Sequence, residues 1–115
     1  MIHPVELKPY EAAMIAFRRQ MHMHPETGFN LVKTHDEVAA ALGEAGIAVH
    51  QHVGVHSLVG VISNGPGPVI GLRADMDALP LTEENTDLAW CSRTIGKMHA
   101  CGHDAHTAML LTAGR

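Results

Sequence analysis

The sequence predicts an α/β layered domain, a sheet with helices packed on it. Two stretches with helical apolar spacing come first, three short β-branched runs follow, and a helix-like run closes the chain. The order helix, helix, strand, strand, strand, loop, helix is that of a layered fold. At 115 residues, 46% of them hydrophobic, the chain makes one small domain with a modest core.

Tyr10, Met14, Phe17 and Met21 step by four, three and four, the apolar stripe of an amphipathic helix over about 9–22. Packing is the role expected of that stripe. Pro25 ends the helix, because a residue before proline is driven from the helical region. Thr34 with Glu37 reads as a capping box opening a second helix. Val38, Ala39, Leu42 and Ala45 form its apolar stripe, and Gly46 its stop.

Residues 47–49 read as a short strand. Residues 57–63 and 69–73 read as two more, joined by the turn formers of 64–68 into an antiparallel hairpin. Their near-continuous apolarity predicts burial on both faces under covering helices. No internal repeat, linker or low-complexity segment interrupts this order.

The chemistry concentrates in two stretches. His99, Cys101, His103, Asp104 and His106 fall within eight residues. Thiolate and imidazole both bind borderline-soft divalent metals. Cys101 and His103 share a face only from extended backbone, and Gly102 between them permits an unusual backbone angle. Asp104 reads as the N-cap of a helix over 105–111. The positive end of that helix favours a thiolate.

Asp75 and Asp77 stand at the end of the third strand, where sites of α/β folds gather. There a carboxylate binds metal or orients a ligating histidine through its second nitrogen. The plainer alternative pairs Asp75 with Arg73 on a solvated turn. Residues 82–87 read as an acidic surface loop, with Glu83 or Glu84 as a general base the lesser alternative. Trp90 and Cys91 read as packing residues. His22 and His24 read as carbonyl caps or water-facing groups rather than ligands. Most of the ten histidines are expected at the surface.

A net charge of −4 supplies no basic footprint for nucleic acid. No apolar run approaches the ~20 residues of a membrane span, and the first residues lack the pattern of a signal peptide. Two cysteines ten apart form no disulfide framework, so a reduced cytoplasmic chain is expected. A redox role for Cys91 and Cys101 would leave the histidines unexplained.

GLRADMDALP at 71–80 and GKMHACGHDAHTA at 96–108 together resemble the M20 metallopeptidase family, nearest its amidohydrolase branch of hippurate, N-acyl-amino-acid and auxin-conjugate hydrolases. RRQMHMHPETGF at 18–29 resembles that branch's opening. The resemblance implies that residues 1–115 are the N-terminal portion of a zinc-peptidase-like catalytic domain. It implies a site for two divalent ions, zinc or manganese. Cys101 and His103 match metal ligands, and Asp77 matches the aspartate that supports a ligand and tunes the site. Asp75 stands where related peptidases carry a ligating histidine. The implied reaction is hydrolysis of the amide of a small N-acyl amino acid, and the implied full-length form is a homo-oligomer.

Family members are several times longer, with further ligands and a glutamate base beyond the matched region. The expectation is therefore a fragment without hydrolase activity, poorly soluble or partly disordered where its sheet lacks cover. A small non-catalytic metal-binding or interaction module is the alternative.

Overall fold

A computed structural model describes residues 4–115. A 3-10 helix, Pro4–Tyr10, leads into α1, Glu11–Met23; α2 spans Val32–Glu44, β1 Ala48–Gln51, β2 Leu58–Val61 and α3 His103–Ala113. Among the described residues, no helix is long and apolar enough to cross a membrane.

α1 buries the lower end of its stripe. Met21 is fully buried and Phe17 packs on the core, whereas Tyr10 lies before the helix and is exposed. α2 begins three residues earlier than a cap at Thr34 would allow. Its N-cap is Leu31, without a side-chain bond, and Thr34 is a buried helical residue. The free amides of its first turn are taken from outside the helix. The Glu26 carboxylate accepts from Lys33 N–H at 3.1 Å and Thr34 N–H at 2.6 Å. Glu37, the expected acidic half of a capping box, instead pairs with Lys33 along the helix surface.

The stop at Gly46 is as expected. Gly46 takes φ +74°, donates to Gly43 O at 2.9 Å, and lets Ile47 N–H reach Leu42 O at 3.0 Å. This pair of reversed bonds turns the chain directly into β1.

The strand pairing differs from expectation. β1 and β2 pair antiparallel, Ala48 opposite Val61 and Gln51 opposite Leu58. The turn between them is 52–57, closed by Val53 N–H to Ser57 O at 3.0 Å, with His52 at φ +56° and Gly54 at +93°. Residues 69–73 belong to no strand, and Val69, Ile70 and Leu72 are exposed. Val59, Val61 and Ile62 are exposed too, so the expected burial of both faces is absent. Pro66 and Pro68 bring no amide hydrogen to a ladder beside β2.

Val38, Ala41 and Leu111 form the core, with Phe17, Leu42, Leu58 and Met76 against it. Three helices thus meet one strand and the segment leading to Asp77. That segment is pinned on both sides. Ala78 N–H donates to Glu26 O at 2.7 Å, and Leu79 and Met98 exchange amide bonds at 2.9 and 3.0 Å. These bonds set residues 77–79 beside the chain that leads into α3.

Candidate metal centre

Pairing Leu79 with Met98 brings the two chemical stretches together. His103 opens α3, and its Nδ1 lies 2.9 Å from Asp77 O and 3.0 Å from Asp77 Oδ1. Both oxygens accept, so Nδ1 carries the hydrogen and Nε2 keeps its lone pair for another partner. Gly102, at φ +95°, is the N-cap and makes the bend before the helix. Cys101 sits on that bend with an exposed thiol.

Asp104 is not the N-cap. It lies inside the first turn, wholly buried, and its Oδ2 accepts from Arg18 Nε and His22 Nδ1, each at 2.8 Å. The cap position falls to Gly102, whose left-handed backbone is one that residues with a side chain rarely adopt.

His22 is likewise no surface histidine. It is buried, and its Nε2 faces the Glu83 carboxylate at 3.1 and 3.2 Å. Each ring nitrogen of His22 thus lies within hydrogen-bond distance of a carboxylate oxygen. Glu83, expected on a surface loop, is buried and also accepts from Ser92 N–H at 2.6 Å and Asn85 Nδ2 at 3.4 Å. Burial raises its pKa, but the bonds from Ser92, His22 and Asn85 outweigh that and hold it at about 2. A carboxyl so held is a fixed anion rather than a general base.

His99 is buried with neither ring nitrogen bonded, and Asp104 Oδ1 is also unpaired. Burial pushes the His99 pKa down, as do nearby His22 and His103, against the pull of Asp104 and Asp77. Asp75 takes the plainer role: it is exposed and pairs with Arg73 at 2.7 Å. His24 caps Gln20 O at 3.0 Å. Trp90 and Cys91 are half-buried, and the Arg19 guanidinium lies 3.8 Å over the Trp90 ring. Burial and the neighbouring Glu83 raise the Cys91 thiol pKa. Neither cysteine is in a disulfide.

Among the described residues, no three His, Cys, Asp or Glu side chains converge closely enough to hold a metal ion. What is present fits part of such a site: a thiol, an imidazole with its outer nitrogen free, and a carboxylate orienting that imidazole. Catalytic zinc takes three protein ligands as a rule.

Sequence reading missed the burial of His22, Glu83 and His99. For His22 and Glu83 the signal is tertiary, since they lie 61 residues apart. It also missed His35, wholly buried on α2, which bonds His56 O at 2.9 Å and stacks on His52 with ring centres 4.4 Å apart.

Helices packed against a small sheet, with a histidine at a helix start oriented by the carboxylate of Asp77 and a cysteine two residues before it, define the class: an α/β domain carrying part of a metal site. Residues 71–115 match the family described as Peptidase family M20/M25/M40. The chain is 48% identical over 99 residues to the hippurate hydrolase of Campylobacter jejuni, covering 85% of this chain and 26% of that protein. It is 43% identical over 102 residues to IAA-amino acid hydrolase ILR1-like 5 of Arabidopsis thaliana, covering 89% and 23%. The crystal structure of the Bacillus subtilis YXEP protein, described as a dinuclear metal binding peptidase from the M20 family, superposes with a TM-score of 0.83 at 38% identity, covering 90% of this chain and 30% of that one. The chain is thus similar to M20 peptidases over most of its own length and spans about a quarter of the length of the curated relatives it matches.

Proposed function

We propose that these residues form the N-terminal part of a metal-dependent amidohydrolase acting on small N-acyl amino acids of the hippurate type. The observation that carries this reading is the His103–Asp77 contact beside Cys101, in a chain similar to a hippurate hydrolase and an IAA-amino acid hydrolase. Cys101 and His103 would hold one or both of two divalent ions, zinc or manganese, and Asp77 orients the His103 ring. Such ions, when bound, polarise an amide carbonyl and make water nucleophilic near neutral pH. The remaining ligands and the base come from polypeptide beyond the described residues, so the 115 residues alone are inactive. A reducing compartment, the cytoplasm, keeps Cys101 as a thiol, and the full-length form is a homo-oligomer.

The test is benzoate release from hippurate in the presence of Mn²⁺ or Zn²⁺. A polypeptide of the relatives' length carrying these residues turns over, and its Cys101→Ser and His103→Ala variants lose activity at least hundredfold. Turnover unaffected by either substitution overturns the site. Turnover by the 115 residues alone overturns the need for further ligands. The alternative, a non-catalytic metal-binding module, draws on the two-donor set, and an inactive full-length protein that still binds metal would favour it.

A further inference from the structure

We propose that His22 is a positioning residue that fixes the ligand-bearing turn 101–103 through the buried chain Glu83–His22–Asp104. The inference rests on the reading of Cys101 and His103 as metal ligands.

Three separate parts of the chain meet at one imidazole. His22 comes from α1, Asp104 from the first turn of α3, and Glu83 from the loop anchored at Ser92 N–H. Asp104 directly follows the ligand candidate His103, so whatever holds its carboxylate holds the start of α3. Arg18 Nε and His22 Nδ1 both aim at one oxygen, Oδ2, at 2.8 Å. Beyond its first turn α3 meets its neighbours through Ala108 and Leu111, apolar contacts that have no preferred direction, and through one hydrogen bond, from Thr107 Oγ1 to Asp75 O at 3.1 Å. Hydrogen bonds between buried charged groups are directional and short. They fix the axial position of α3 where apolar packing does not.

His22 is suited to this place as few side chains are. Its two nitrogens point to opposite sides of a flat ring and serve two carboxylates at once. A glutamine carries donors on one nitrogen only and reaches one of them. The clamp also encloses His99, with ring centres of His22 and His99 6.4 Å apart. Both ring nitrogens of His99 and Oδ1 of Asp104 are buried without a hydrogen-bond partner. The turn is thus held from behind by charge and from the side by the His103–Asp77 bond, and Nε2 of His103 is left facing outward.

Outer groups that orient ligands are worth roughly 10- to 100-fold in metal affinity. The test uses the 115-residue chain with Co²⁺ as probe, read by the thiolate-to-cobalt charge-transfer band that reports Cys101 ligation. A second readout, amide hydrogen exchange over 99–105, needs no metal. In His22→Gln the Co²⁺ affinity falls about tenfold, and exchange over 99–105 speeds up while α2 keeps its protection. Glu83→Gln leaves His22 in place but weakens its anchor, and shifts both readouts in the same direction by less. If His22→Gln fails to fold, Glu83→Gln decides. Co²⁺ affinity within twofold of wild type together with unchanged exchange over 99–105 overturns the clamp. Where the wild-type 115 residues, lacking the remaining ligands, show no charge-transfer band, the exchange comparison alone decides the clamp.

Discussion

Asp77 holds the ring of His103 with two acceptors, its backbone carbonyl at 2.9 Å and its carboxylate at 3.0 Å. The double contact selects the tautomer with hydrogen on Nδ1 and so leaves Nε2 as the nitrogen available to a ligand. Asp77→Ala keeps the carbonyl and loses the carboxylate. We expect metal affinity of the chain to drop about tenfold, within the range for carboxylates that orient a ligating histidine. Co²⁺ titration of wild type and variant checks this, and equal affinities would remove Asp77 from the site.

Glu83 predicts an acid-dependent stability. Its folded pKa, about 2, lies below the ordinary 4.5. A depressed carboxylate contributes stability above its unfolded pKa and loses it as pH falls through its folded one. The contribution is therefore complete above about pH 5 and fades between about 4.5 and 2. Urea denaturation at steps across that window shows the wild-type midpoint falling with acid. Glu83→Gln, which has no proton to take up, starts lower and falls less steeply. Parallel slopes for the two proteins would mean that Glu83 titrates in the fold as it does in the unfolded chain.

The difference between what the sequence announces and what it hides follows the range of the interaction. Gly46 ends α2 by bonding three residues back, while Ile47 bonds five residues back, and such local geometry is written in neighbouring letters. The 71–80 and 96–108 motifs are likewise readable as residue types at fixed spacing. Their meeting at His103 and Asp77 is made by the Leu79–Met98 pairing, which no local pattern encodes. The hairpin was misplaced for the same reason. The Gly- and Pro-rich 64–68 carries the stronger turn signal, yet the turn that closes is 52–57, where His52 takes a left-handed conformation uncommon for its type. His22, Glu83 and Asp104 are polar letters that read as surface. Each is buried because the others supply its bonds, and that mutual satisfaction is a tertiary property.

Glu26 predicts a helix-stability effect at a distance in sequence. Its carboxylate binds the amides of Lys33 and Thr34, doing for α2 what a cap residue does from within. Glu26→Ala strips both bonds and costs about 1 kcal/mol, the usual worth of a lost N-cap. Glu37→Ala removes the surface pair with Lys33 and a long 3.3 Å bond from Gln20 Nε2, and costs less than about 0.5 kcal/mol. Thermal unfolding of both variants separates them. The reverse order would restore the capping box of Thr34 and Glu37.

The exposed run Val69, Ile70 and Leu72 predicts how the chain behaves alone. Val69 is 97% exposed, Ile70 84% and Leu72 72%, and exposed Val59, Val61 and Ile62 lie on β2 and just past it. An apolar surface without a partner invites association, and an extended segment with unpaired amides offers a template for strand addition. We expect the 115-residue chain to sediment as a concentration-dependent mixture and to bind a hydrophobic dye. Ile70→Lys with Leu72→Lys replaces two apolar side chains that contribute nothing to the core, so folding stability stays within about 0.5 kcal/mol. The same pair places charge where a neighbouring chain would add, and shifts the sedimentation profile toward monomer. A wild-type chain that is already monomeric at high concentration, or a double variant that associates as strongly as wild type, would place the sticky surface elsewhere than on 69–72.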